Sequence, residues 1–384
     1  MTKYSGLNTI CTHVGEIKDT QFGGAVSPIF MASSYPYLDV EVKRYPRYFN
    51  TPNQEAVALK IAALEHAESA LTFASGMAAI SSTLLTFLKH GDHVVFQNEI
   101  YGGAYNFVVE EFDKFGIEYT FTKGVAIADF ESQIKKNTKV IYIETPSNPL
   151  LTLTDIAGIA KLAKQKGLIS MIDNTFASPV NQTPIDFGID IVLHSATKYL
   201  GGHSDICAGA VASTNDNINK IFQKSKNLGG NMSDFMCYLL ERSIKTLGLR
   251  VAQHNANALA MATYLEHHKA VKKVYYPGLK SHPNHQLAKA QMKGFGGMLS
   301  FELKDEFDAT AFQKALKLVK PSLSLAGVES TILLPALTSH ALMGAKARKE
   351  QGISDNLLRF SIGVEELEDI IADVEQAIKK ITKS

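Results

Sequence analysis

Two hydrophobic rhythms alternate along most of this chain. Short apolar runs rich in β-branched and aromatic residues fall at residues 70–73, 93–96, 117–121, 139–143, 169–172, 191–193 and 208–212. Between them lie longer stretches with helical spacing, such as residues 155–166. Strands alternating with helices predict an α/β fold whose mostly parallel central sheet is covered by helices on both faces. A long helical pattern over residues 234–267 leads to a smaller α/β region. That region contains apolar runs at residues 299–303 and 357–362 and a final helix at 365–379. Residues 23–52 show little periodicity of either kind. The resulting division is a segment 1–52, a domain 53–247 and a C-terminal domain 248–384, which 384 residues are enough to build.

Composition narrows the class. Hydrophobic residues make up 45% of the chain and the net charge is +1, which gives no reason to expect a nucleic-acid partner or a membrane surface. No run reaches membrane-spanning length, and the start, Met1-Thr2-Lys3-Tyr4-Ser5-Gly6, lacks a signal-peptide core. Cys11, Cys207 and Cys237 are scattered and odd in number, which suggests a reducing compartment and a cytoplasmic protein without a disulfide framework.

Three local features carry candidate chemistry. Lys198 follows the apolar strand 191–193 within His194-Ser195-Ala196-Thr197-Lys198-Tyr199-Leu200-Gly201-Gly202. A lysine there suits a Schiff base to an aldehyde cofactor, with Ser195 and Thr197 donating to a phosphate. It equally suits a strand-end lysine that extends to solvent. Asp173 closes the apolar run 168–172 and precedes Asn174-Thr175-Phe176. It reads as the carboxylate that keeps a pyridine nitrogen protonated, or as a turn residue. The strand 70–73 runs through Ala74-Ser75-Gly76-Met77 into a helix. Glycine at such a turn lets the Gly76 and Met77 amides approach a phosphate.

In that order, and with several further stretches, the chain resembles the pyridoxal-phosphate (PLP) enzymes of cysteine and methionine metabolism. The family includes cystathionine gamma-synthase, the cystathionine beta- and gamma-lyases and methionine gamma-lyase. The resemblance rests on Ala74-Ser75-Gly76-Met77-Ala78-Ala79, Tyr101-Gly102-Gly103, Glu144-Thr145-Pro146-Ser147-Asn148-Pro149, Asp173-Asn174-Thr175-Phe176, Ser195 to His203 and Leu358-Arg359-Phe360-Ser361-Ile362-Gly363. It implies a fold type I enzyme with Lys198 as the Schiff-base lysine and proton carrier and Asp173 as the ring-nitrogen partner. Gly76, Met77, Ser195 and Thr197 become phosphate ligands, Tyr101 the aromatic stacked on the cofactor, and Asn148 a neighbour of the ring hydroxyl.

The resemblance also assigns substrate and subunit contacts. In the alternating run 358–362, Arg359 points away from the face shared by Leu358, Phe360 and Ile362. The family role is a clamp on the substrate carboxylate, for which arginine is suited by its paired, permanently charged donors. Ser324, Leu323 and Asn148 are the other substrate positions. Tyr45 and Arg47 match a Tyr-x-Arg that reaches a neighbouring subunit's cofactor phosphate, so segment 1–52 becomes an inter-subunit arm. A homotetramer built from two site-sharing dimers is expected.

The implied activity is a carbon–sulfur lyase of trans-sulfuration, cleaving cystathionine or a related sulfur amino acid by β- or γ-elimination. Alternatives are γ-replacement, by a cystathionine gamma-synthase or O-acylhomoserine sulfhydrylase, then methionine gamma-lyase, then a regulatory protein that only binds the cofactor. Leu323 stands where cystathionine enzymes often carry Glu or Tyr, Gly103 where methionine gamma-lyases carry cysteine, and Ala326 where the family has glycine. His282-Pro283-Asn284-His285 has ligand-like spacing, but the intervening proline and the lack of a third ligand leave no metal expected.

Overall fold

The structure is a computed structural model and describes residues 4–338, 348 and 352–382. The chain forms two compact units, one comprising Met1–Glu144, Thr154–Gly201 and Asp205–Gly248, the other Thr145–Leu153, Gly202–Ser204 and Leu249–Ser384.

The first unit is built on a seven-stranded sheet. Its strands are β1 (Ser69–Phe73), β2 (His93–Phe96), β3 (Glu118–Phe121), β4 (Thr138–Glu144), β5 (Ile169–Asp173), β6 (Ile191–His194) and β7 (Gly209–Ser213), in the order β1-β7-β6-β5-β4-β2-β3. Strands β2 to β6 pair in parallel, and β7 runs antiparallel to both β6 and β1. Successive residues feed opposite cores: Val94, Phe96, Val140, Tyr142, Met171 and Leu193 enter one, Val95, Ile141, Ile143, Ile172 and Val192 the other. Burial on both faces explains why these strands read as continuous apolar runs.

Helix starts follow local capping chemistry. Ser75 accepts from the Ala78 N–H at 3.1 Å ahead of the helix Gly76–Phe87, and Asp155 accepts from Gly158 at 3.0 Å ahead of Ile156–Lys166. The helical stretch expected over 234–267 is two helices, Asp234–Ile244 and Leu247–Glu266. Between them Lys245 and Thr246 donate to Arg242 and Ser243, three residues back, so the turn tightens and the helix does not continue. Residues 14–45 contain no helix or strand, and Phe22, Met31, Tyr37 and Leu38 within them are 84%, 71%, 69% and 66% exposed.

The second unit carries a five-stranded sheet, β8 (Val271–Tyr275), β9 (Met298–Leu303), β10 (Lys320–Pro321), β11 (Thr331–Leu333) and β12 (Leu357–Ser361), in the order β10-β11-β12-β9-β8. Leu358, Phe360 and Ile362 bury against Ile370, Val374 and Ala377 of the final helix Leu367–Thr382. Arg359, between them, is itself buried, so β12 is covered on both faces. No helix among the described residues is long and apolar enough to cross a membrane.

Candidate active site

In the first unit the chemistry gathers at the carboxyl ends of the parallel strands, where ligands of open α/β sheets bind. Asp173 ends β5 with its side chain buried, and its Oδ1 accepts the Thr175 N–H at 3.0 Å. Burial pushes its carboxyl above the ordinary range; the Thr175 bonds, then the charges of His194 and Lys198, pull the other way. Lys198 lies four residues beyond the end of β6 in a tight turn, its N–H donating to the Ser195 carbonyl at 3.1 Å, and is partly buried. The Ser195 N–H donates to Thr175 Oγ1 at 2.8 Å, tying this turn to the end of β5. The Thr197 hydroxyl is held by Ala208, accepting from its N–H at 2.9 Å and facing its carbonyl at 3.2 Å.

Gly76 opens the helix Gly76–Phe87 directly against Ser195. A Cβ at position 76 would stand 2.9 Å from Ser195 Cβ and 3.0 Å from its Cα. Only glycine allows that approach. Ser75 satisfies Ala78 and Ala79, whereas Gly76 and Met77 supply the helix's first two N–H groups, which have no intrahelical acceptor. A helix amino end, two hydroxyl residues and a cradle that any side chain would fill are groups able to hold a phosphate.

Tyr101 caps the helix Gly102–Phe115, and its N–H donates to Glu144 Oε2 at 2.6 Å. Its side chain is 47% exposed and rests over Gly103, where a Cβ would lie 2.5 Å from Tyr101 Cε1. Tyr45 and Arg47 flank and occupy the 3-10 turn Pro46–Tyr48. The Arg47 guanidinium donates to the Lys226 carbonyl and lies 5.8 Å and 5.4 Å from the Tyr45 and Tyr48 rings.

The second unit brings together Arg359, Asn148 and the loop around Ser324. Arg359 Nη1 donates to Asn148 Oδ1 and Nη2 to the Ser324 carbonyl, both at 3.0 Å. Leu323 is 69% exposed. Ser324 and Ala326 have φ of 75° and 63°, and the Ala326 N–H donates to Ser361 Oγ at 2.8 Å. Ala326 therefore adopts the left-handed backbone that favours glycine. His282, set aside as a ligand, is buried, with its pKa lowered by burial to about 4. Among the described residues no cluster of His, Cys, Asp and Glu has the arrangement of a metal site.

The sequence reading gave no role to Glu65, Thr175 or His194. Glu65 and His194 form a buried pair, Oε1 to Nε2 at 2.5 Å, beneath the ends of β5 and β6. Their separation of 129 residues leaves no local signal.

Fold and site together define an α/β protein with a lysine, a buried carboxylate and anion-binding groups able to hold a phosphorylated aldehyde. The sequence model described as "Cys/Met metabolism PLP-dependent enzyme" matches residues 8–379. The chain is 42% identical to the cystathionine gamma-lyase of Bacillus subtilis (strain 168), over 97% of this chain and 99% of that one. It is 41% identical to the cystathionine beta-lyase of Lactococcus lactis subsp. cremoris (strain MG1363), over 98% and 100%. A crystal structure of cystathionine gamma-lyase from Lactobacillus plantarum complexed with L-serine superposes with a TM-score of 0.95 at 40% identity, covering 98% of this chain and 100% of that chain.

The chain belongs to the Cys/Met metabolism PLP-dependent enzymes, and pyridoxal phosphate is its cofactor. The residues present fit that group: a glycine cradle for the phosphate, a buried carboxylate in need of a cationic partner, and a lysine beside it.

Proposed function

We propose that the enzyme is a carbon–sulfur lyase that cleaves cystathionine or a related thioether amino acid by β- or γ-elimination. The observation that carries the reading is Asp173, buried at the end of β5 and sensing the charge of Lys198 beyond the end of β6. The substrate class follows from the cystathionine lyases that the chain resembles over nearly its whole length.

When bound, the cofactor supplies an aldehyde that joins to amines and a ring that takes up electrons from the substrate α-carbon. Gly76 and Met77 amides and the Ser195 and Thr197 hydroxyls would hold its phosphate. Asp173 would keep the proton on its ring nitrogen, and Tyr101 would offer its aromatic face to the ring. Asn148 would serve its ring hydroxyl.

Arg359 grips the substrate carboxylate, with its guanidinium plane fixed by Asn148 and the Ser324 carbonyl. Lys198 Nζ takes the α-proton and, for γ-cleavage, gives it up again before taking a second from the β-carbon. The C–S bond then breaks, the sulfur leaves as a thiol after gaining a proton, and hydrolysis releases ammonia and a 2-oxo acid. Tyr101 assists these proton transfers.

The assembly we propose is a homotetramer of two dimers, each sharing its sites through Tyr45 and Arg47. The exposed apolar side chains of segment 14–45 support it, because apolar surface of that extent marks a covered face.

Incubating purified enzyme with cystathionine, methionine, homocysteine, cysteine and O-acyl homoserines, with and without added thiol, tests the activity. Pyruvate or 2-oxobutanoate from cystathionine without thiol is expected. A new thioether formed only with thiol would instead establish γ-replacement, and no product from any substrate would end the enzymatic reading.

A further inference from the structure

Glu144 is buried at the end of β4, and the reaction above gives it no part. Its Oε2 accepts the Tyr101 N–H at 2.6 Å, from 43 residues away in the chain. The carboxylate is held firmly, because the fully buried side chain of Gln97 pins the Glu144 backbone on both sides. Gln97 Nε2 donates to the Glu144 carbonyl at 2.8 Å and to the Glu99 carbonyl at 3.0 Å. Gln97 Oε1 accepts the Glu144 N–H at 3.3 Å and the Thr154 hydroxyl at 2.8 Å. One side chain thus fastens the end of β4 to the loop that leads from β2 into Tyr101.

Nothing nearer in sequence holds Tyr101 in this way. It is the N-cap of the helix Gly102–Phe115, and its N–H has no acceptor inside that helix. The usual local acceptor is a Glu or Gln three residues on; here that residue is Ala104, which offers none. Gly102 and Gly103, the first two helical residues, leave the backbone at its least constrained. The Tyr101 ring, half exposed, is not wedged by packing either. The Tyr101 carbonyl accepts the Tyr105 N–H at 3.0 Å, the first bond of the helix. With Glu144 on its N–H, both main-chain groups of Tyr101 are held, and together they set the direction of its Cα–Cβ bond. Gly103 then lets the ring lie close over the helix start, where any Cβ would stand 2.5 Å from Tyr101 Cε1.

We propose that Glu144 is a positioning residue for the reaction: by accepting the Tyr101 N–H it fixes where the Tyr101 hydroxyl stands against the reacting atoms. The inference rests on Tyr101 assisting proton transfer, the role given to it above. The contact needs only an acceptor oxygen at that point, so an amide oxygen serves as a carboxylate does. A displaced Tyr101 leaves substrate binding much as before and misses its place in the transition state, so the loss falls on kcat and not on KM.

The test measures cystathionine cleavage by the cofactor-loaded enzyme and its variants. Glu144→Leu, close in size and without an acceptor, is expected to lower kcat about thirtyfold and change KM less than about threefold. Glu144→Gln is expected to stay within about threefold of the unaltered enzyme in both. Tyr101→Phe is expected to slow turnover by itself. Adding Glu144→Leu to it should cost little more, because Glu144 acts through the hydroxyl already removed. Losses that multiply in the double variant, an unchanged kcat in Glu144→Leu, or a Glu144→Gln enzyme as slow as Glu144→Leu would each overturn the proposal. Tyr101→Phe turning over as fast as the unaltered enzyme would instead remove the Tyr101 assignment. Should Glu144→Leu fail to fold, hydrogen exchange at the Tyr101 amide of the unaltered holoenzyme decides without any substrate. Protection like that of a helix interior is expected there, and exchange at the rate of a free loop amide would refute the idea.

Discussion

At the residue scale, Asp173 shows how position creates chemistry. The same side chain in an exposed turn would be an ordinary acid. Buried at the end of β5, it resists ionising even with the charges of His194 and Lys198 acting on it. In the cofactor-stripped protein the folded-state pKa lies above the unfolded one. The folded form therefore binds the extra proton, and stability falls as pH rises through the interval between the two values. Asp173→Asn removes that penalty while keeping an oxygen for the Thr175 N–H. Urea denaturation of the stripped proteins is expected to show the variant gaining on the unaltered chain as pH rises, with the two converging in acid. A gap independent of pH would contradict the assignment.

Single residues were also where the sequence was most and least informative. Lys198, Asp173 and Gly76 stand at breaks between apolar runs and turns, where a change of pattern is visible in a few letters. Burial of Arg359 was not legible. Alternation put it opposite the core face correctly, but the cover on its own side comes from Asn148 and Ser324, distant in sequence. Glu65 carried no signal for the same reason: its value lies in meeting His194 and Asn174.

At the scale of elements, the strand-to-helix turn at Gly76 joins fold to binding. The helix Gly76–Phe87 must begin within contact of Ser195 for its first amides to share an anion with that hydroxyl. Gly76→Ala places a methyl 2.9 Å from Ser195 Cβ and forces the two apart. Cofactor affinity, followed by absorbance on equilibrium dialysis, is expected to fall about tenfold or more, with little change in helix content. Undiminished affinity would remove the turn from the phosphate site. The β2–β6 strands were readable because burial on both faces makes them apolar throughout. Strand β8 was not, since Val271-Lys272-Lys273-Val274-Tyr275 exposes its lysines and resembles a loop. The break at Lys245 was hidden because the helical pattern continues on either side of it.

At the scale of the molecule, segment 14–45 lacks regular structure and displays large apolar side chains. Isolated, such a surface is a liability; across a second copy it becomes an interface. Arg47, at its end, is the residue through which one chain would serve its neighbour's site. Arg47→Ala is expected to lose most activity and release cofactor readily, and Lys198→Ala to be inactive. Mixed and reassembled, the two should regain up to about a quarter of full activity, because hybrid dimers contain one site lacking both defects. No recovery on mixing would refute shared sites.

The most direct test of the whole account is to reduce the cofactor-loaded enzyme with borohydride, digest it and find the labelled peptide by mass spectrometry. The cofactor is expected on Lys198, in the peptide containing Ser195-Ala196-Thr197-Lys198-Tyr199. Label on any other lysine, or none at all, would contradict it.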